Sequence, residues 1–468
     1  MREEELEPGP AILTAMKRLP RALAASFSLV ALFALCLGAD GPPASAPGGS
    51  GLASINHIVV IYQENWSYDG LYGSFPGANG VAIGTGVTQV DAKGAPLTAL
   101  PQALDFAGNP DIRFPASQPV HAFDAGKYVS PWGSTGDMIH RFYHEQLQID
   151  GGKMDKFVAW SDNPGLVLSQ YDTRMLDLPE YHLATQYTLG DNMFHSAFGG
   201  SFLNHQYLVC ACAPMWPNAP AHFISNPDPA KLDDNNVTPD GHVVNTVFTS
   251  YAPHPAGIPA GDLVPPLTEE TIGDRMDAAG VSWKWYSGGW DRALAGNPSP
   301  DFQFHHQPFA YYKSYGDGTA AKAAHLQDET NFTSDVASGN LPSVVFIKPV
   351  GENNEHPGYA ALLDGQRHVL SLVDQIRNSK YWNDTVIIIT YDENGGRWDH
   401  VAPPVIDRWG PGTRVPVIVV SKFAKQGYVD HTEYETASIL ALIEKRFNLK
   451  PLGTRDAAAN PFSNAFQF

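Results

Sequence analysis

Two apolar runs in this sequence end in oxygen-bearing side chains. His57–Tyr62 (HIVVIY) leads into Gln63-Glu64-Asn65, and Val386–Ile389 leads through Tyr391 into Asp392-Glu393-Asn394 and the glycine pair 395–396. Short β-branched runs of this kind fit strands covered on both faces. Open α/β sheets gather their ligands at the carboxyl ends of such strands. Packing has no use for acids there, whereas carboxylate and amide oxygens together suit a hard divalent cation of the sort used in phosphoryl chemistry. Glu64, Asn65, Asp392 and Glu393 are therefore candidate ligands of one divalent ion, whose identity the sequence leaves open. The plainer reading makes Glu64 a loop acid and Asp392-Glu393 a turn cap.

Ser201 follows Gly199-Gly200 and opens a helical pattern. A serine there exposes its hydroxyl near free backbone N–H groups, which bind anions. Asn204 falls one turn later on a similar face. The pair fits a nucleophile and a phosphate-holding amide, although a simple helix N-cap would also account for the serine. Of the 17 histidines, His140, His305, His306, His356 and His400 stand in polar loops flanked by glycine or proline. If they converge they supply acid–base groups near neutral pH.

The elements that must position these residues alternate between strands and helices. Strands are expected at 57–62, 281–286, 343–348, 386–389 and 415–421. Helices are expected from 140, over 178–187 and from 201. Others are expected over 267–279 with Thr268 as N-cap, over 358–379 and over 432–447. This alternation argues for an α/β fold, a mainly parallel central sheet with helices on both faces. Residues from about 214 to 266 lack periodicity and read as a loop-rich cap over the sheet.

The chain has 468 residues and a net charge of −19, without a basic block. That speaks against nucleic acid or an anionic membrane surface as an electrostatic partner, but not against a phosphate ester, since a metal supplies local positive charge. Lys17, Arg18 and Arg21 precede the apolar run 22–37, and Leu37-Gly38-Ala39 offers a cleavage site. Residues 1–39 thus read as a secretory signal, with Met16 an alternative start, and imply a periplasmic or secreted protein without stable membrane insertion. Residues 40–54, rich in Gly, Pro, Ala and Ser, read as a flexible leader. Cys36 would leave with the signal. Cys210 and Cys212, one residue apart, would face opposite ways on an extended strand, so no disulfide is expected.

The segments Ile55–Gly73, Gly151–Phe157 (GGKMDKF), Ser201–His205, Glu355-His356-Pro357, Tyr391–His400 and Arg414–Tyr428, then Asp430-His431-Thr432, occur in an order that resembles one family. It is the bacterial phosphoesterases comprising non-haemolytic phospholipases C and a branch of acid phosphatases, of the alkaline phosphatase-like superfamily. The resemblance implies one phosphoesterase domain over 55–468 with an insertion at about 214–330. It implies metal ligands at Glu64, Asn65, Asp392 and Glu393, a nucleophile at Ser201 and a phosphate-holding Asn204. It also implies that His305 and His306 bind substrate and that His356 or His140 protonates the leaving group. Gly200-Ser201 and Asn204-His205 depart from the Thr and Asn-Arg of the phospholipase branch. They favour an acid phosphatase acting through a phosphoserine, ahead of a phospholipase C and of an inactive envelope binding protein. Sulfatase chemistry is disfavoured because Cys212-Ala213-Pro214-Met215-Trp216 lacks the Arg of Cys-x-Pro-x-Arg. Oligomeric state is left open.

Overall fold

The computed structural model describes residues 51–468; the expected signal and most of the leader lie outside the described residues. Gly51–Ser54 form a 3-10 turn, and Leu52 packs against the main core. Regular structure is therefore already present four residues earlier than expected.

Eight strands form the central sheet: β1 (His57–Gln63), β2 (Thr188–Gly190), β3 (Trp283–Ser287), β4 (Leu326–Asp328), β5 (Val344–Lys348), β6 (Thr385–Tyr391), β7 (Val417–Ser421) and β8 (Tyr428–Asp430). Their order is β4-β3-β5-β1-β6-β7-β2-β8. Only β7 runs antiparallel to its neighbours; every other pairing is parallel. Every residue of β5, β6 and β7 is buried. Both faces are thus covered, which is why the sequence reads there as continuous Val and Ile rather than alternation. β1 and β6 pair in register from His57↔Thr385 to Gln63↔Tyr391. Their next residues, Glu64 and Asp392, therefore start side by side at the same edge.

Six helices bear on the argument: α1 (Phe142–Ile149), α2 (Pro179–Gln186), α3 (Ser201–Cys210), α4 (Ile272–Ala279), α5 (Leu362–Arg377) and α6 (Ala437–Phe447). α2 packs on α5, and α3 packs on α6 and α4. α4 starts at Thr271, not Thr268. Thr271 Oγ1 accepts from Asp274 N (3.2 Å) while Asp274 Oδ2 accepts from Thr271 N (2.9 Å), a reciprocal capping box. Thr268 cannot serve because Leu267 is bridged to Tyr312.

The expectation for Cys210 and Cys212 is also corrected: they form a disulfide. The premise of an extended chain fails. Cys210 ends α3, and Ala211 takes the left-handed conformation (φ 50°, ψ 35°) that turns the chain back on itself. β3 and β4 fall inside the span 214–330, so the part of that span that lies off the sheet is the stretch before α4. This cap is tied to α1. Asp234 Oδ2 accepts from Tyr143 N (2.8 Å) and His144 N (2.9 Å), and Asn245 Oδ1 accepts from Phe142 N (3.1 Å). Cap residues thus satisfy the free N–H groups at the start of α1, a task its own N-cap residue, Arg141, does not perform. Among the described residues, no helix is long and apolar enough to cross a membrane.

Candidate active site

The strand ends set the geometry. Asp392 N donates to Gln63 O (3.0 Å) and continues the β1–β6 pairing by one step. Asn65 then takes a left-handed backbone (φ 64°), a conformation that Asn tolerates better than most residues and that recurs at functional sites. Its N–H donates to Asp392 Oδ1 (3.1 Å), which also accepts from Glu393 N (2.8 Å). Gly395 must be glycine because a Cβ there would lie 2.5 Å from Asn65 O.

Ser201 reaches the same place from α3. Its hydroxyl donates to Glu64 Oε2 (3.1 Å). Two contacts explain the glycines before it: a Cβ on Gly199 would fall 2.5 Å from Phe142 N, and one on Gly200 would fall 2.8 Å from His140 O. Glu145, buried on α1, accepts from Gly199 N (2.6 Å) and so fixes this loop. Ser201, Glu64, His140, His305, His306 and His356 all line one cavity of about 370 Å³.

The donor set fits a divalent cation. His356 Nδ1 lies 2.5 Å from Pro357 O and His140 Nδ1 lies 2.6 Å from Met138 O, so each donates there. That leaves Nε2 of a neutral His356 as an acceptor, 3.0 Å from the Asn65 amide nitrogen. With Nδ2 turned to His356, Asn65 Oδ1 lies 3.1 Å from Glu64 Oε2 and 2.9 Å from Glu393 Oε1. In that orientation one amide oxygen faces two carboxylate oxygens about 3 Å away, a set of oxygens that a shared divalent cation would satisfy. The opposite amide orientation satisfies the carboxylates by hydrogen bonds but requires His356 to carry two protons. Asp392 Oδ2, fully buried, has no hydrogen-bond partner among the described residues. Burial, then the charge of Glu64, pushes Asp392 well above the usual carboxyl range. Burial, then Asp392, does the same to Glu393. These are carboxyls short of positive charge.

Sequence reasoning missed Lys348. It is fully buried at the end of β5, and its ammonium pairs with Glu64. Burial opposes a charge on Glu64, but His306 and Lys348 outweigh it and hold its pKa well below the ordinary value. His306 Nε2 lies 3.2 Å from Glu64 Oε1, and burial lowers its own pKa to about 4, against the pull of Glu64. His205 was missed too. Its ring stacks on His306 at 5.1 Å, and its Nδ1 faces Ser201 O at 2.7 Å. The only sequence signal for Lys348 was a lysine closing an otherwise apolar strand.

Two expectations fare differently. Asn204 does not line the cavity. Its Nδ2 donates to the carbonyls of Ala197 (3.1 Å), Gly199 (3.3 Å) and Gly200 (3.2 Å), and its Oδ1 accepts from Ala197 N (3.0 Å). The amide is spent shaping the loop before Ser201, not holding a ligand. His400 stands outside the cavity lining, with Nδ1 2.7 Å from Asp69 Oδ2, in a network that Arg414 joins to Asp399.

Comparison with known proteins places the chain in a family. Phospholipase C A of Mycobacterium tuberculosis is 26% identical over 459 residues, covering 89% of this chain and 78% of that protein. Non-hemolytic phospholipase C of Pseudomonas aeruginosa is 22% identical over 466 residues, covering 89% and 58%. A solved protein of the alkaline phosphatase superfamily from Vibrio parahaemolyticus overlays with a TM-score of 0.34 at 11% identity, covering 61% of this chain and 64% of that one. Residues 55–450 match the model of the phosphoesterase family. The chain belongs to that family and is a phosphoric ester hydrolase.

Proposed function

We propose that this chain is an exported, metal-dependent phosphomonoesterase that works through a phosphoserine at Ser201. The observation that carries the choice of monoester is the wall of the cavity around Ser201. Arg141, Asn236, Asn245, Thr246 and Gln303 line it, with Phe106 and Tyr359 as its aromatic members. A compact polar cavity suits a phosphate on a small or polar alcohol. Export is supported by the basic and apolar N-terminal pattern and by the Cys210–Cys212 disulfide, which belongs in an oxidising compartment.

Glu64, Asn65, Asp392 and Glu393 would hold the ion. Once bound, a divalent cation neutralises phosphoryl oxygens and favours the ionised form of a nearby hydroxyl. The chain's own groups do the rest. Gly199-Gly200 and the loop-bound amide of Asn204 fix the start of α3, so Ser201 Oγ meets phosphorus without reorganisation. Lys348 keeps Glu64 ionised as the acceptor of the Ser201 hydroxyl. His140, half-buried at the wall, turns Nε2 inward because Nδ1 is fixed on Met138 O, and from there it would protonate the leaving alkoxide. Water then attacks the phosphoserine from the vacated side. His305 and His306 flank the phosphate.

The relatives' names favour a second reading, a phospholipase C cleaving phosphodiesters of lipid head groups. Parallel assays of 4-nitrophenyl phosphate and phosphatidylcholine, with and without chelator, separate the two. The proposal expects metal-dependent turnover of the monoester well above that of the lipid. The reverse order selects the phospholipase, and no turnover of either with metal supplied selects an inactive binding protein.

A further inference from the structure

Arg141 is, among the described residues, the only lysine or arginine lining the Ser201 cavity. As the N-cap residue of α1 it is free of any capping duty, because Asp234 and Asn245 of the cap perform it. Its Nε is buried without a hydrogen-bond partner, and no carboxylate among the described residues is close enough to form an ion pair with it. The negative charges that act on it come from Asp234 and Asp233. Asp234 Oδ2 is already engaged by two backbone N–H groups and the His144 ring (2.9 Å). Asp137, the carboxylate at the rim, accepts from Met138 N (2.8 Å) and lies 4.0 Å from His140 Nδ1. A guanidinium stays charged at any ordinary pH, and one held in a cavity wall without an anion is costly unless the ligand brings the anion.

Its position fits that ligand. The Arg141 backbone lies against the loop before the nucleophile: a Cβ on Gly199 would come within 2.8 Å of Arg141 C. Arg141, His140 and Ser201 line the same cavity, so the guanidinium borders the space that a phosphate on Ser201 would fill. Its planar fork matches two oxygens of a phosphate. We propose that Arg141 binds non-bridging oxygens of the substrate phosphate and makes the cavity prefer the dianion of a monoester to the monoanion of a diester. This rests on reading the cavity as a phosphoester site. A phosphate monoester carries close to two negative charges near neutral pH and a diester one, and the attraction to a fixed cation scales with that charge.

The test uses the full metal-loaded chain and its Arg141→Met and Arg141→Lys variants. Binding of inorganic phosphate is read by calorimetry, and kcat/KM is measured for 4-nitrophenyl phosphate and bis(4-nitrophenyl) phosphate. Thermal melts confirm that each variant folds. Arg141→Met should weaken phosphate binding by about tenfold or more. It should lower monoester kcat/KM by roughly tenfold more than diester kcat/KM, with Arg141→Lys in between. Unchanged phosphate affinity, or equal losses on both esters, overturns the assignment. If the wild type binds phosphate but hydrolyses neither ester, the hydrolytic reading falls while calorimetry still judges Arg141.

Discussion

Asn65 shows how much a single residue decides. Its left-handed backbone aims the N–H at Asp392, and its amide stands between His356 and the carboxylates of Glu64 and Glu393. In one orientation the amide oxygen faces those carboxylates, which a shared cation would then join; in the other its NH2 donates to both and its oxygen accepts from His356 Nε2. Asp392 offers the sharpest test at this scale. Its Oδ1 accepts two backbone N–H groups while Oδ2 is unpartnered. Asp392→Asn can therefore keep the first set of bonds and lose only the charged ligand. The wild type should gain about 3 kcal/mol of stability from a divalent ion at a hundredfold excess over Kd. Asp392→Asn should bind the ion at least about tenfold more weakly. Equal affinities by calorimetry would remove Asp392 from the site. That Glu64, Asn65, Asp392, Glu393 and Ser201 meet at one place was legible in the sequence because each follows a recognisable strand end or glycine pair. Lys348, His205 and Arg141 were not, because their roles depend on which way a side chain points across neighbouring elements. Asn204 stands apart from the cavity lining for a related reason. Helical spacing puts it on the face of Ser201, but the carbonyls of Ala197, Gly199 and Gly200 in the preceding loop accept from its amide.

At the scale of elements, one buried clamp ties α2 to the strand end that leads into Asp392 and Glu393. Tyr391 Oη lies 3.0 Å from Glu180 Oε2 and 2.7 Å from Glu355 Oε2, and Gln63 Nε2 donates to Glu355 Oε1 (2.9 Å). Glu355 precedes His356 and has a left-handed backbone (φ 72°). Burial raises its pKa to about 7 and raises Glu180 well above the ordinary value. Between the unfolded value near 4.5 and about 7 the native chain keeps a proton that the unfolded chain has lost. Stability from this pair is therefore full at acid pH and falls as pH rises through that window, by about 3 kcal/mol for Glu355. Glu355→Gln should flatten that part of the melting-temperature profile between pH 4.5 and 7. Its NH2 can donate to Tyr391 Oη, which in turn donates to Glu180. A profile that falls as steeply in the variant would place the titration elsewhere. Elements with strong periodicity, such as β6 and α5, were readable from the chain alone. The Cys210–Cys212 bridge was not, because it depends on one left-handed residue between two cysteines that a strand reading would splay apart.

In the whole molecule, the parallel order places β5, β1 and β6 side by side, so three strand ends deliver Lys348, Glu64-Asn65 and Asp392-Glu393 to one edge. α3 brings Ser201 to that edge, and the cap, tied to the start of α1, closes one wall of the cavity. The sequence supports this architecture through its run of strands and helices, while the position of the cap needs the contacts of Asp234 and Asn245. The net charge of −19 makes the few cations at the site, and the ion its carboxylates call for, the local exception that admits a phosphate. The central claim is that Ser201 carries the phosphoryl group during turnover. Acid-quenching the metal-loaded chain during hydrolysis of a phosphate monoester and mapping its peptides by mass spectrometry tests this directly. The account predicts one phosphoryl group on the peptide containing Ser201, absent from Ser201→Ala. A phosphoryl group on a histidine peptide, or steady turnover by Ser201→Ala, would contradict it.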